Sequence, residues 1–286
     1  MYIKITENKA MQKVAMITGC ASGIGRELAL ELAGLKWTVA ATDLYPEKLR
    51  PLEEAGCLTF PLDVTNNRQI GETVEQIIDL CGHIDLLFNN AGYGLIGPAV
   101  DIPFEKLERQ FRTNFFGPVE IIHKVVPFMK ARGKGTIVNM GSISGITPTP
   151  FAGAYCSSKA AVHAWSDSLR MELKPFGIKV VIVQPGGIRT EFGQHSAETV
   201  SGLLKPESWY APIEPYIYKR AHTSQEKATP VTEFCSRVIR KIISENPPPV
   251  VRCGKRSFFL PLYKRVLPEN LLDKMMMKKY GLVQLA

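Results

Sequence analysis

The chain has 286 residues, of which 45% are hydrophobic and 22% are charged, as in a globular protein with a sizeable core. No run approaches 18 apolar residues, which argues against a membrane-spanning helix, and the first 13 residues lack the hydrophobic core of a signal peptide. The six cysteines show neither a CxxC motif nor metal-ligand spacing. We therefore expect reduced thiols in a cytoplasmic protein, and no metal site.

The net charge of +8 is uneven along the chain, because residues 246–286 carry eight basic and two acidic side chains. A basic and apolar segment of this kind could contact anionic lipid or an acidic substrate, or it could be a solvated rim. A pI near 9.1 would also suit nucleic-acid binding. No recognition motif accompanies the charge, so no nucleic-acid partner is predicted.

Short apolar runs alternate with helical patterns along most of the chain. The predicted strands are Val14–Thr18, Trp37–Thr42, Thr59–Leu62, Ile84–Phe88, Thr136–Met140, Lys179–Gln184 and Pro249–Arg252. This alternation predicts a parallel sheet with helices on both faces, in which ligands bind beyond the carboxyl ends of the strands. Polar residues, glycine or proline stand at six such ends: Gly19, Asp43, Asp63, Asn89, Ser142 and Pro185.

A glycine cluster follows the first strand, with Gly19, Gly23 and Gly25 ahead of a helical pattern at residues 26–34. A strand, a glycine turn and a helix form the usual site for a dinucleotide phosphate. Glycine lets the backbone approach the pyrophosphate, and the helix N-terminus offers free amides to it. The cluster therefore predicts a dinucleotide site.

Asp43 ends the second strand, 18 residues beyond Gly25, where an acidic residue commonly meets the adenine ribose. A carboxylate there repels a 2′-phosphate, and the nearest bases, Lys48 and Arg50, are expected in the following helix. This pattern favours NAD over NADP. Asp43 could also serve as a helix N-cap.

Four further polar positions have possible structural roles. Asp63 could meet the adenine edge or cap the helix predicted at residues 67–80. Asn89 and Asn90 are expected to brace neighbouring strands. Asn114 lies inside an amphipathic pattern at residues 104–126 that Gly117 interrupts, which suggests a kink able to hold a water molecule.

Ser142, Tyr155 and Lys159 form the candidate reactive group. Tyr155 and Lys159 are four residues apart, so in a helix they project from one face. A phenol with a pKa of about 10 is a poor base near pH 7, and a neighbouring ammonium is expected to lower that pKa. Ser142 could hold a substrate oxygen beside the phenol. The alternative is that the three are ordinary surface residues.

Taken together, these motifs resemble those of the short-chain dehydrogenase/reductase family. The matching stretches are TGCASGIG (18–25), Asp63, NNAG (89–92), Asn114, Ser142, YCSSK (155–159) and PGGIRT (185–190), in the family's order and spacing over residues 12–190. The resemblance implies an α/β fold with a Rossmann-type, doubly wound, seven-stranded parallel sheet. It also implies NAD(P)-dependent hydride transfer at a secondary alcohol or ketone.

The resemblance assigns roles to individual residues. Tyr155 would be the acid/base, Ser142 the holder of the substrate oxygen, and Asn114 the holder of a relay water. Lys159 would bind the nicotinamide ribose and lower the pKa of Tyr155. The implied cofactor contacts, besides Tyr155 and Lys159, are Gly19, Ser22, Gly23, Ile24, Gly25, Asp43, Leu44, Asp63, Val64, Asn90, Ala91, Gly92, Pro185, Gly186, Ile188 and Thr190.

We expect a single domain over residues 1–286, with an N-terminal extension (1–12), a substrate lid and helix (191–246) and a C-terminal extension (253–286). Aromatic and leucine side chains of the lid could line a substrate pocket or merely pack the lid onto the core: Phe192, Leu203, Leu204, Trp209, Tyr210, Tyr216 and Tyr218. The opposite wall is expected from Thr147, Pro148, Pro150 and Phe151.

The long apolar and basic extension resembles the subgroup that acts on steroids, retinoids and acyl-glycerol ketones. It therefore predicts a lipophilic substrate and a homodimer, with the extension either closing the substrate pocket or making peripheral membrane contact. Alternatives within the family are 3-oxoacyl and sugar-alcohol substrates. A non-catalytic NAD-sensing regulator is a different class, and the presence of Ser142, Tyr155 and Lys159 argues against it.

Overall fold

The computed structural model describes residues 12–200 and 202–285, so the predicted N-terminal extension lies outside the described residues except for Gln12. Nine strands follow one another in these described residues: β1 (Val14–Thr18), β2 (Thr38–Asp43), β3 (Leu58–Pro61), β4 (Leu86–Asn89), β5 (Gly135–Met140), β6 (Ile178–Pro185), β7 (Ile188–Arg189), β8 (Thr229–Pro230) and β9 (Val250–Cys253). Seven of them form one parallel sheet in the order β3-β2-β1-β4-β5-β6-β9, and β7 pairs with β8. The predicted doubly wound sheet is confirmed, with strand ends shifted by at most two residues.

Eleven α-helices connect or follow these strands in the described residues. They are α1 (Gly23–Gly34), α2 (Arg50–Glu54), α3 (Asn67–Cys81), α4 (Phe104–Phe111), α5 (Gly117–Arg132), α6 (Gly153–Leu173), α7 (Phe192–Val200), α8 (Glu214–His222), α9 (Val231–Ile242), α10 (Phe259–Val266) and α11 (Glu269–Lys279). None of the helices in this described part is long and apolar enough to cross a membrane.

Strand alternation sends side chains to two separate cores, one on each face of the sheet. In β1, Ala15 and Ile17 pack on the face covered by α1 and α9, whereas Met16 packs on the face covered by α3, α5 and α6. Every residue of β1 is buried, as expected for a central strand of a parallel sheet. The strand order reverses between β1 and β4, and their carboxyl ends open the crevice used by ligands in such sheets.

The amphipathic pattern predicted as one interrupted helix consists of three parts. Between α4 and α5 the backbone forms a π-helical turn, Arg112–Phe116, with Asn114 buried inside it. Pro118 lies just after this turn, at the start of α5. The interruption therefore begins at Arg112, ahead of the predicted kink at Gly117, and π-turns of this kind often occur at functional sites.

Helices α7 and α8 pack against each other beside the sheet, and the C-terminal extension covers them. Ile217 and Ala221 of α8 share one buried cluster with Leu272, Met276 and Tyr280. In the last turn, the Gln284 side-chain amide donates a hydrogen bond to the Tyr216 hydroxyl at 2.6 Å. The extension is thus a packed part of the fold and meets the lid directly.

Candidate active site

The carboxyl edge of the sheet opens into a cavity of about 880 Å³. We call the part lined by the glycine turn and the strand ends the strand side, and the part lined by residues 191–280 the lid side. All predicted site residues line this cavity except Gly25 and Asn114. The strand ends therefore bring together residues that are more than 150 positions apart in the sequence, such as Gly19 and Thr190.

The glycine turn has the geometry of an anion site. A Cβ added to Gly25 would lie 2.0 Å from the Gly19 carbonyl oxygen, so only glycine lets α1 begin so close to the turn. Gly19 itself has a φ of +74°, which other residues rarely adopt. Ser22 precedes α1 without a side-chain cap, and the first turn of α1 has no acidic residue. The free amides at this helix N-terminus can therefore receive a phosphate.

Asp43 lies at the end of β2, beside the turn. Its carboxylate accepts hydrogen bonds from the amides of Ala21 at 2.8 Å and Tyr45 at 3.0 Å. Tyr45, not Asp43, occupies the N-cap position of the 3-10 turn that follows, so the capping alternative for Asp43 is wrong. Lys48 also lines the cavity, with its ammonium 4.7 Å from the centre of the Tyr45 ring. This base is closer to the site than the sequence suggested.

Asp63 faces the cavity beyond β3 and does not cap α3. Its carboxylate accepts hydrogen bonds from the amide and the hydroxyl of Thr65, at 2.8 and 2.7 Å. Asn66 caps α3 by accepting from the Gln69 amide, so the alternative of Asp63 as a helix cap is wrong. Of the two roles considered, contact with a ligand in the cavity is the one that its position allows.

The asparagines after β4 brace the sheet as predicted. Asn89 donates to the Asn139 side chain at 2.9 Å, which links β4 to β5. The Asn90 side chain donates to the carbonyls of Thr18 and Gly19 at 2.9 and 3.1 Å. These bonds hold the glycine turn against the end of β4, so the two walls of the strand side are fixed relative to each other.

Tyr155 and Lys159 project from the first turns of α6 into the cavity, and Ser142 reaches it from the end of β5. All three are buried, with 9%, 5% and 5% of their surfaces exposed. The Lys159 ammonium donates a hydrogen bond to the Met140 carbonyl at 2.7 Å, and this bond positions its side chain. The alternative that these are ordinary surface residues is therefore wrong.

The expected lowering of the phenol pKa is not found in this structure. Burial raises the pKa of Tyr155 to about 12, although hydrogen bonding with Ser142 and the charge of Arg220 act in the opposite direction. Burial also lowers the pKa of Lys159 to about 8. The sequence argument counted the charge of a neighbouring lysine and left out the loss of water around the phenol, which is the larger effect here.

His163 is a site residue that sequence reasoning missed. Its Nε2 accepts a hydrogen bond from the Ser142 amide at 3.2 Å. Burial, together with the nearby charge of Lys159, lowers the pKa of His163 to about 4, so the neutral ring keeps this lone pair available. The available signal was the spacing, since His163 follows Lys159 by four residues on the same helix.

Asn114 lies behind the cavity wall and does not line it. Its side-chain amide donates to the Tyr93 carbonyl at 3.0 Å and to the Ser158 hydroxyl at 3.1 Å, and its oxygen accepts from the Tyr93 amide at 3.1 Å. A Cβ on Gly92 would lie 2.9 Å from Asn114 Oδ1 and 3.7 Å from Lys159 Nζ. The side chain thus anchors the loop after β4 beside Lys159, and its role in a water relay stays a prediction.

The lid side combines an apolar wall with polar and charged residues. The ring of Phe192 lies 5.6 Å from the ring of Tyr155, centre to centre. The C-terminal extension adds Leu260, Met276 and Tyr280 to the same wall. The expectation that this extension closes the substrate pocket is thus confirmed for these three side chains.

Other aromatic residues of the lid have structural roles or face solvent. Tyr210 packs edge to face on Phe151 at 5.8 Å, and neither lines the cavity. Trp209 is 80% exposed, so its predicted place in the inner wall is wrong. From the expected opposite wall, Thr147 lines the cavity, whereas Pro148 and Pro150 do not. Packing of the lid thus accounts for part of the predicted set.

No group of three or more His, Cys, Asp or Glu side chains in the described residues is arranged to hold a metal ion.

The cavity contains basic residues that sequence reasoning did not select, among them Arg220, Lys255 and Arg256. Each is isolated from the recognised motifs in the sequence. Only the packing of the lid and the extension brings them to the site.

This chain is similar to the uncharacterized oxidoreductase YbbO of Escherichia coli strain K12. The two are 34% identical over 275 residues, which cover 96% of this chain and 97% of that protein. The 3-ketodihydrosphingosine reductase of Bacteroides thetaiotaomicron is 31% identical over 263 residues, covering 91% of this chain and 95% of the reductase. Both alignments extend through the lid.

Solved structures share the fold. A short-chain dehydrogenase from Streptomyces avermitilis superposes with a TM-score of 0.78 at 26% identity, covering 96% of this chain and 98% of the other. A family member from Burkholderia phymatum in complex with NAD has a TM-score of 0.75 at 22% identity, covering 92% and 95%. The closed form of serine dehydrogenase complexed with NADP+ has a TM-score of 0.73 at 25% identity, covering 85% and 94%.

The short chain dehydrogenase family matches residues 13–201, which include the glycine turn, Ser142, Tyr155 and Lys159. This match, the full-length relatives and the shared sheet agree with one another. The chain therefore belongs to the short-chain dehydrogenase family of oxidoreductases.

Proposed function

We propose that this oxidoreductase transfers a hydride between NAD and a lipophilic secondary alcohol or ketone, with Tyr155 as the acid/base. The observation that carries the proposal is that Tyr155, Ser142 and Lys159 line the same cavity as the glycine turn. A phosphate-binding turn, a proton donor and an oxygen-holding hydroxyl at one cavity are what this reaction requires.

When bound, the nicotinamide cofactor supplies or accepts the hydride. The chain's own residues handle the proton and the oxygen: Tyr155 gives a proton to a ketone oxygen or takes it from an alcohol, while Ser142 holds that oxygen. The raised pKa of Tyr155 keeps the phenol neutral near pH 7, which suits the proton donor of a ketone reduction. Lys159, charged below a pKa of about 8, supports the phenolate left behind.

The preference for NAD over NADP rests on Asp43. Its carboxylate is held by two backbone amides at the cavity edge, where it would repel a 2′-phosphate and accept bonds from a free ribose hydroxyl. Lys48 lines the same region and acts in the opposite direction. Two fixed bonds orient the carboxylate, whereas the Lys48 ammonium lies over an exposed Tyr45 ring, so we give Asp43 the greater weight.

A lipophilic substrate is supported by the lid side, whose walls include Phe192, Leu260, Met276 and Tyr280. A relative of similar length is named for the reduction of 3-ketodihydrosphingosine. A small 3-oxoacyl compound or a sugar alcohol would leave much of this apolar surface without contact. A regulator without turnover would not need Tyr155, Ser142 and Lys159 together in one cavity.

The full chain should be assayed on steroid, retinoid and acyl ketones and alcohols, with NAD(H) and NADP(H) in separate series. We expect turnover on at least one lipophilic class, with NAD(H) the better cofactor. Tyr155→Phe should bind NADH as the wild type does and lose turnover about 1,000-fold. An active Tyr155→Phe enzyme would show that another group moves the proton.

We further propose peripheral membrane contact through α10. Phe259, Leu262 and Val266 lie on one helical face and are 63%, 51% and 61% exposed. Lys264 and Arg265 lie on the same short helix and would meet anionic headgroups. Exposed apolar side chains flanked by basic ones are typical of interfacial helices.

Co-sedimentation with vesicles of phosphatidylcholine and phosphatidylserine tests this contact. We expect the full chain to bind, and a Phe259→Ser, Leu262→Ser double variant to bind at least several-fold less. Trp209→Ser is the matched control, because Trp209 is 80% exposed and lies in the lid, outside α10. Equal partitioning of the wild type and the double variant would reject the proposal.

The homodimer remains a prediction. Phe104 of α4 and Phe116 beside α5 are 71% and 51% exposed, so this helical face offers apolar surface to a second copy of the chain. Analytical ultracentrifugation of the wild type and of Phe116→Glu tests it. A monomeric wild type at micromolar concentration would contradict the prediction.

A further inference from the structure

One buried cation on the lid side, Arg220, takes part in no step of the proposed reaction. Arg220 lies on α8, is 9% exposed and lines the cavity together with Tyr155 and Ser142. Buried charged side chains are nearly always paired with an opposite charge. Arg220 makes no ion pair with any residue in the described part of the chain.

The surrounding protein satisfies only part of the hydrogen-bonding capacity of Arg220. Arg220 Nε donates to the Thr149 hydroxyl at 2.8 Å, and the guanidinium lies 6.0 Å from the centre of the Tyr280 ring. A guanidinium has five N–H donors, and neither Nη group donates to any residue that the structure describes. The Thr149 bond and the Tyr280 ring hold the group in place and leave its bidentate edge free.

Two further observations place this edge at the reaction site. Burial raises the pKa of both Tyr155 and Cys156, and the charge of Arg220 opposes that rise in each, so the guanidinium lies within electrostatic range of the phenol. Thr147, 1% exposed, lines the same cavity, and its hydroxyl oxygen has no hydrogen-bond partner. A buried cation and an unpaired buried hydroxyl are both what an oxyanion requires.

We propose that Arg220 binds an anionic group of the substrate, a carboxylate or a phosphate, and thereby selects amphiphilic substrates with an apolar body and a charged end. This inference rests on the proposed function for the identity of the reacting group. It deepens that function by adding a charged recognition point to the apolar lid side. Arg220 would be a specificity-determining residue, since the guanidinium fork matches both oxyanions in geometry.

A calorimetric binding experiment tests the proposal without turnover. The full chain, saturated with NADH so that the glycine turn is occupied and no alcohol can be oxidised, is titrated with decanoate, decyl phosphate and decanol. We expect at least one of the two anions to bind about tenfold or more tightly than decanol, and the tighter of the two identifies the oxyanion. Arg220→Met should remove this preference, and Arg220→Lys should keep part of it.

Lys219→Met is the matched control, because Lys219 is an exposed base on the same helix and does not line the cavity. It should bind all three compounds as the wild type does. Equal affinity of the wild type for decanol and both anions, or a preference that survives in Arg220→Met, would overturn the proposal. If Arg220→Met does not fold, the wild-type comparison and Arg220→Lys still decide.

Failure of the proposed function can be told apart from failure of this inference. Tyr155→Phe should keep the preference for the anion, since Tyr155 moves the proton and Arg220 binds the charge. A chain that prefers the anions and turns over no ketone or alcohol would reject the reaction and retain the binding site. A chain that reduces neutral ketones and shows no anion preference would retain the reaction and reject the anion-binding site.

Discussion

The two sides of the cavity treat polar groups in opposite ways. On the strand side, Asp43, Asp63 and Asn90 are each held by hydrogen bonds to nearby backbone atoms or side chains. On the lid side, Arg220 keeps most of its donors unused, and the buried hydroxyl of Ser196 has no partner. The strand side is therefore preorganised for one shared ligand, whereas the lid side leaves these two groups for the substrate to satisfy.

This difference separates general effects from selective ones. Changes on the strand side should alter turnover of every substrate, because every reaction uses the same cofactor and the same proton. Changes on the lid side should alter some substrates and leave others unaffected. Four predictions test this division, starting with the largest expected effect.

Lys159→Met should reduce turnover of all substrates about 1,000-fold and yet stabilise the fold. The folded pKa of Lys159, about 8, lies below the ordinary lysine value of 10.5 because burial disfavours the ammonium. Below pH 8 the lysine is charged in both folded and unfolded states, so its burial costs up to about 3 kcal/mol. This cost falls as pH rises from 8 towards 10.5.

Loss of the hydrogen bond to the Met140 carbonyl costs about 1 kcal/mol of stability, which offsets part of the gain from removing the buried ammonium. We therefore expect the free energy of unfolding at pH 7 to rise by about 2 kcal/mol. Thermal and urea unfolding measure it. Lys134→Met, at an exposed lysine, serves as the control and should change stability by less than about 0.5 kcal/mol. A lower melting temperature for Lys159→Met would show that the buried ammonium contributes net stability.

The pH dependence of the two directions should differ. Because the pKa of Tyr155 is raised to about 12, the phenolate fraction increases with pH throughout the neutral range. We expect kcat/KM for alcohol oxidation to rise up to about 100-fold between pH 6 and pH 8, with little change for ketone reduction, which uses the neutral phenol. An oxidation profile that is flat over this range would mean that the phenol pKa is already low.

Asp43→Asn should change the choice of cofactor on the strand side. Removing the carboxylate weakens the bond to the ribose of NAD and ends its repulsion of a 2′-phosphate. We expect the ratio of kcat/KM for NADH to that for NADPH to fall about 10- to 100-fold, with the substrate preference unchanged. Glu47→Gln is a control, since Glu47 lies on the neighbouring turn and does not line the cavity. An unchanged ratio in Asp43→Asn would assign the selectivity elsewhere.

Phe192→Leu should have the smallest and most selective effect. Its ring lies 5.6 Å from that of Tyr155, so a smaller side chain weakens contact with bulky substrates near the reacting atom. We expect kcat/KM to change by about two- to tenfold for the largest ketones and less for short ones. Trp209→Leu, at the exposed lid surface, should change neither. Equal losses for all substrates would contradict the division between the two sides.

The strand side could be predicted almost completely from the sequence. Its residues belong to short motifs that end predicted strands, and the carboxyl ends of parallel strands necessarily meet. Gly25 and Asn114 are the exceptions. Gly25 is excluded from the cavity by its contact with the Gly19 carbonyl, and Asn114 by its bonds to the loop after β4.

For the lid side, the sequence predicted which types of residue are present but not which of them face the cavity. Seven aromatic and leucine residues were candidates for its wall, and the structure uses Phe192 in the cavity while Trp209 faces solvent. Arg220 and His163 were missed because each is placed at the site by a residue distant in the sequence. Arg220 packs on Tyr280, and His163 accepts a hydrogen bond from the Ser142 amide. The pKa of Tyr155 could not be predicted either, since burial depends on the whole fold.

The packing of the last turn against the lid has a practical consequence. Gln284 bonds to Tyr216, and Tyr280, four residues earlier, forms part of the wall that faces the substrate. A purification tag fused to the C-terminus would therefore begin within a few residues of the selectivity-determining surface. Kinetic constants measured on such a fusion would describe an altered pocket. A tag placed before residue 12 would instead begin far from this surface along the chain.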